Sequence, residues 1–168
     1  MCGAAAGVAS LRQAASRTGI PCTERFLLSH SAISPETIQA YLETHYRLFG
    51  PMPTTLTIGE HNPVLAELYR AQHVSTGAFI TACNPLSQSL EPSANARRQA
   101  ALARDIAQRG ATYIEGIGEH PSNGWPGEPS FLVLGVSLDD ARALGVAYGQ
   151  NAIVWCGADA VAQLVLLR

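Results

Sequence analysis

The chain has 168 residues, 47% of them hydrophobic and 14% charged, which suits one folded domain and excludes an extended disordered chain. A formal net charge of -2 and a pI near 6.2 exclude the basic footprint of a nucleic-acid binder. No run of about 18 apolar residues is present, so no membrane-spanning helix is expected.

Residues 1–30 are rich in Ala, Ser and Gly, with no acid before Glu24, and are expected to form a flexible extension. Residues 31–168 are expected to form the single globular domain. Ser34-Pro35-Glu36 is a helix start: a capping hydroxyl, proline at the first helical position, then an acid facing the positive end of the helix dipole. Ile38, Tyr41, Leu42, His45 and Phe49 follow at helical spacing, and Gly50-Pro51 ends the run. Thr54 to Gly59 alternates and reads as a strand. Asn62-Pro63 opens a second helix with Leu65, Leu68 and Tyr69 on one face.

Gly77 to Cys83 is the next strand and ends at Asn84-Pro85. A polar loop leads to the helix Ala96–Arg109, with Leu102, Ala103 and Ile106 inward and Gly110 at its boundary. Thr112–Ile117 and Phe131–Val136 read as strands. Ser137-Leu138-Asp139-Asp140 caps a helix ending near Gly149, and Ala152–Cys156 with Val161–Leu167 reads as a closing hairpin. The order from Gly77 is β-α-β-β-α-β-β, that of a ferredoxin-like sandwich plus one strand. The expected fold is therefore α+β: a mixed sheet of about six strands with helices mainly on one face.

A helix links the strands Thr54–Gly59 and Gly77–Cys83, so a right-handed crossover would make them parallel neighbours. Asn62 and Asn84 would then stand side by side beyond the strand ends, where open sheets bind ligands; capping alone is the competing explanation for both. Asn84 is favoured because Thr81, Ser87 and Asn95 add hydrogen-bonding groups that capping does not need. The link between the two central strands, Gly118 to Pro129, far exceeds the roughly two to five residues of a simple hairpin and is expected to be a binding loop. Within it Glu128 lies near Trp125, between Pro126 and Pro129, at the mouth of an apolar strand. Such surroundings desolvate a carboxyl and suit a general acid or base. Gln150-Asn151 precedes an apolar strand and offers two more amides.

Glu115, Glu119, His120 and His61 lack a spacing that demands metal, so neither metal nor cofactor is expected. No phosphate-binding glycine loop, serine elbow, dinucleotide fingerprint or HExxH occurs. Cys2, Cys22, Cys83 and Cys156 are widely spaced and read as reduced thiols of a cytoplasmic protein, with a Cys83–Cys156 pair left open. Cys83 with His61 as base is the alternative nucleophile.

Phe79-Ile80-Thr81-Ala82-Cys83-Asn84-Pro85-Leu86-Ser87, then Trp125-Pro126-Gly127-Glu128-Pro129-Ser130-Phe131, then Tyr148-Gly149-Gln150-Asn151-Ala152-Ile153 stand in this order. With these TAxNPxS, WxxEPSF and GQNA motifs the chain resembles, from about Tyr41 to Leu167, a bacterial family defined as a domain of unknown function. The resemblance implies no activity. It does mark Thr81, Asn84, Pro85, Ser87, Asn95, Glu128, Ser130, Gln150 and Asn151 as matching its pattern. An aromatic residue is frequent in that family where Cys83 stands here, which weakens a cysteine nucleophile.

These readings converge on a small-molecule site. Glu128 would be the catalytic acid/base of a hydrolysis or group transfer, with Asn84 and Gln150 orienting a polar uncharged substrate. Thr81, Ser87, Asn95, Ser130 and Asn151 would complete the binding surface. The rival reading is a non-catalytic interaction module, its apolar last strand Val161–Leu167 paired with a second copy in a homodimer.

Overall fold

Ser34 begins the first helix as its sequence predicts, its Oγ accepting the Thr37 N–H at 3.2 Å. That helix, α1, covers only Pro35–Glu43 in the computed structural model, which describes residues 31–168; the N-terminal extension lies outside the described residues. Thr44 turns to extended backbone and His45–Leu48 forms a strand, β1. The continuous helical reading through Phe49 is therefore corrected. In β1 the period of two prevails because Tyr46 and Leu48 bury in the core while His45 and Arg47 face solvent.

Strand β2 (Thr54–Leu56) precedes α2 (Pro63–Gln72), capped by Asn62 Oδ1 accepting from the Leu65 N–H at 2.8 Å. Strand β3 (Gly77–Ile80) leads through a tight turn at Pro85–Ser87 into α3 (Pro92–Gln108). Then come β4 (Tyr113–Glu119), β5 (Glu128–Leu134), α4 (Leu138–Ala147), β6 (Ala152–Cys156) and β7 (Ala162–Leu166). Ser137 caps α4 through the Asp140 N–H. The element order from Gly77 onward is the one read from the sequence. The described residues, 31–168, form one α+β domain with four helices.

The sheet differs from expectation. It has seven strands in the order β2-β1-β4-β5-β3-β6-β7, and every pair of neighbouring strands is antiparallel. Strands β2 and β3 run in the same direction, as expected, but are not neighbours: β1, β4 and β5 stand between them. What the expected crossover missed is β1, which pairs with both β2 and β4 and carries β2 to the far edge. The sheet curls into a half-barrel until its two edges meet at one end. There the Gly59 N–H donates to Ala162 O at 2.8 Å and the Asn62 N–H to Ala160 O at 2.9 Å.

Alternation along the strands sorts the core into two layers. Inside the curl, Leu48, Leu56, Phe79, Leu132 and Val154 pack with Leu65, Leu68 and Tyr69 of α2. Outside it, Ala78, Ile80, Phe131, Val133 and Ile153 pack with Leu102 and Ile106 of α3 and Ala141 and Leu144 of α4. Helices thus occupy both faces, because α2 fills one end of the curl while α3 and α4 cover its back.

Gly116 makes the tightest packing in this arrangement. A Cβ there would stand 2.4 Å from Arg47 O and 2.8 Å from the Phe79 ring. Neither can retreat easily, since Arg47 is held in the β1–β4 ladder and Phe79 is buried. Gly116→Ala is therefore expected to lower unfolding free energy by roughly 1–3 kcal/mol, as measured by urea denaturation.

Candidate functional site

The end of the curl that α2 leaves empty is a cavity of about 400 Å³. Phe79, Val154 and Leu164 contribute its apolar surface, α1 contributes Thr37, Ala40 and Tyr41, and Trp125 and Glu128 stand at its polar side. Gly118 also lines it, so β4 leaves space beside the rings of Tyr46 and Phe79. Those two rings meet edge to face, their centroids 5.4 Å apart.

Glu128 is the first residue of β5, not part of a loop, because β5 starts three residues earlier than its apolar run suggests and pairs Glu128 with Gly118. The long connection therefore shrinks to residues 120–127. That connection is internally tied: His120 Nδ1 accepts the Ser122 and Asn123 N–H groups, and Asn123 Oδ1 accepts the Trp125 N–H. It presents the Trp125 indole so that Nε1 donates to Glu128 Oε1 at 2.9 Å. Asn84 Nδ2 donates to the same oxygen at 2.7 Å. Oε2 has no hydrogen-bond partner among the described residues and is the carboxyl oxygen left for the cavity. Burial pushes the Glu128 carboxyl above the usual carboxylate range, against the opposing pull of the Asn84 and Trp125 donors.

Asn84 is placed by strain and by hydrogen bonds. It is buried and left-handed (φ 44°, ψ 59°), and Leu86 (φ 57°) and Ser87 (φ 56°) are left-handed as well. Such backbone is costly for a leucine and persists only where the surroundings hold it, commonly at functional sites. Here the Leu86 N–H donates to Gly149 O at 2.8 Å. Asn84 Oδ1 accepts from the Leu90 N–H and from Asn95 Nδ2, and the Asn84 N–H donates to Asn95 Oδ1. With Oδ1 occupied by two donors, the amide nitrogen must face Glu128. Helix α3 begins at Pro92, so Asn95 sits in its first turn and not in the preceding loop. From the same helix Gln99 Oε1 accepts the Ala82 N–H, and Arg98 Nε donates to Ala82 O.

The other proposed residues divide. Thr81, Ser87, Ser130 and Gln150 line the cavity with Asn84 and Glu128; Asn95 and Asn151 do not line it. Thr81 Oγ1 donates to Pro129 O and accepts the Cys83 N–H, tying β3 to β5. Gln150 Nε2 donates to Cys83 O at 2.9 Å, and its Oε1 takes no donor among the described residues. Asn151 Nδ2 donates to Ser87 Oγ and to Tyr41 OH, linking the strained turn to α1. Asn62 lies elsewhere: it caps α2 and donates to Thr54 Oγ1 and Thr55 O, so the expected Asn62–Asn84 pair does not form. Cys83 and Cys156 are free and buried, and burial raises both thiols, Cys156 to about 12, which disfavours thiolate chemistry. Cys83 also lies beyond the end of β3 and not within it. Among the described residues no cluster of three or more His, Cys, Asp or Glu side chains is arranged to hold a metal ion. None of the described helices is long and apolar enough to cross a membrane. The start of β7 is already bridged at Val161 and Ala162, so the last strand is not a wholly free edge.

Sequence reasoning missed Tyr41, Tyr46, Phe79, Val154 and Leu164 as cavity residues. Only Phe79 carried a local signal, its place in the strand that ends at Asn84. The others reach the cavity through sheet pairings that no short-range pattern encodes. Residues 80–153 match the model of a family described as a protein of unknown function (DUF3293). The DUF3293 match covers less than half of the chain and a shorter span than Tyr41–Leu167. It contains Thr81, Asn84, Glu128, Ser130 and Gln150, and leaves α1, β1 and β7 outside. No curated protein and no solved structure matches the chain.

Proposed function

We propose that the cavity is a small-molecule site in which Glu128 serves as acid/base for a hydrolysis or group transfer. One observation carries this reading: a half-buried carboxyl whose Oε1 is fixed by Asn84 and Trp125 and whose Oε2 remains for the cavity. A proton donor or acceptor works best when its ionisation lies nearer the working pH, and burial moves Glu128 in that direction. Asn84 takes a role different from the substrate contact first expected. Its amide is engaged by Glu128, Asn95 and Leu90, so it is a positioning residue for the carboxyl. Gln150, through Oε1, is the better substrate contact.

The apolar surface and the cavity volume suit a molecule with a ring-sized apolar body and one hydrogen-bonding end. A thermal-shift screen against nucleosides, sugars, amides, amines and amino acids tests the site. A ligand at about 100 times its dissociation constant contributes roughly 2.7 kcal/mol, a rise of several degrees. That rise should shrink when Phe79→Ala removes part of the cavity wall. A ligand that binds equally well to the Phe79→Ala variant would place its site elsewhere.

A further inference from the structure

The residues lining this cavity are one-sided in charge. Glu128 and Glu36 bring carboxylates, and among the described residues no Arg side chain lines it; the chain contains no lysine at all. Arg98, near the turn, spends its guanidinium on Ala82 O and Tyr148 O, and Arg47 pairs with Glu119. His120 holds two backbone N–H groups at Nδ1 and contacts Glu43 through Nε2, which leaves it no ring nitrogen for the cavity. A phosphate or carboxylate ligand would meet carboxylates with no free basic group among the described residues to offset them.

The hydrogen-bonding groups left over are one-sided too. Glu128 Oε2 and Gln150 Oε1 take no donor among the described residues, and Ser130 Oγ, which donates to Glu128 O, keeps lone pairs to accept with. The donors are largely committed: Trp125 Nε1 to Glu128, the Tyr46 hydroxyl to Tyr41 O, and Thr81 Oγ1 to Pro129 O, with the exposed Asn123 amide nitrogen at the rim the exception. Aromatic rings at Tyr46, Phe79 and Trp125 complete the walls, and ring faces attract cations.

We infer that the molecule taken by this cavity carries a protonated primary amine on an apolar body. An ammonium group brings three donors and no acceptor, the complement of the free acceptors here. It also supplies the counter-charge that the half-buried Glu128 carboxyl lacks among the described residues. The inference rests on the reading of the cavity as a small-molecule site and adds the sign of the ligand's charge.

The test is a matched series measured by calorimetry and thermal shift on the full chain. Primary amines with bodies from butyl to naphthylmethyl are compared with the alcohols and carboxylates of the same skeletons. The amines should bind tightest and the carboxylates weakest. Glu128→Gln should weaken the amines about ten- to hundred-fold, as expected for loss of a charge-assisted contact, while changing the alcohols little. The fold of that variant is checked by its own melting curve, and Phe79→Ala should weaken amines and alcohols alike. Alcohols that bind as tightly as their amines would overturn the charge assignment and leave the small-molecule site standing. Failure of the whole series to bind would overturn both.

Discussion

Replacing Glu128 with Gln should abolish most of any turnover and at the same time make the folded protein more stable near neutral pH. Loss of a positioned acid or base typically lowers kcat by about 10²–10⁴-fold. The stability effect follows from the raised ionisation of the half-buried carboxyl. Such a group holds its proton to higher pH in the folded state than in the unfolded chain. Its contribution is thus fully present below the ordinary carboxylate range and is lost as pH rises through the folded value. The side-chain amide of the Glu128→Gln variant cannot ionise, so the variant escapes that loss. The amide oxygen can still accept from Asn84 and Trp125. Melting curves at about pH 5 and about pH 8 check this, since the advantage of the variant should grow between them. A variant less stable than wild type at the higher pH would mean that the two donors to the carboxylate outweigh its burial.

The largest stability loss among single substitutions at the site is expected for Asn84→Ala. The change removes the acceptor of the Leu90 N–H and the partner of Asn95, both part-buried. It also puts alanine where the backbone is left-handed, φ 44°. Backbone cost is about 1–2 kcal/mol and a lost buried partner about 1–3 kcal/mol. A total near 3 kcal/mol lowers Tm by roughly 6–12 °C in a domain of this size. Asn84→Gly separates the causes, because glycine accepts the left-handed backbone yet loses the same hydrogen bonds. The glycine variant should be the more stable of the two by about 1 kcal/mol. Equal stabilities would show that the turn relaxes and that its strain is not held by Asn84.

Much of the local structure was legible because its causes act over a few residues. Ser34, Asn62 and Ser137 cap helices through N–H groups three positions ahead, as their sequence context predicts. Gly77–Ile80 shows its burial in its composition. Helix ends were less legible. The stretch after Glu43 carries apolar residues at both helical and strand spacing, and its state was decided by partners in β2 and β4. Asn95 looked like a loop residue because nothing before Pro92 marks the start of α3 except the proline itself.

The candidate site shows the same division. Asn84 and Glu128 stood out as polar residues at strand boundaries, and the fold places their side chains 2.7 Å apart although 44 positions separate them. Asn62 stood out by the same criterion and is a helix cap far along the sheet order. The two asparagines share a local sequence, Asn-Pro, yet Asn62 is extended and caps α2 while Asn84 is left-handed and faces Glu128.

By itself the sequence determined the order of elements from Gly77, the caps, the absence of basic character and the residues whose polarity needs a partner. Tertiary structure alone decided that the sheet is wholly antiparallel and curled, that α2 fills one end of the curl, and that the other end stays open. The reason is range. Capping and alternation are settled by neighbours within about four residues. Strand order and curl are settled by which apolar faces bury together, and residues as distant as Tyr46, Phe79 and Leu164 can meet only when the sheet has chosen its edges.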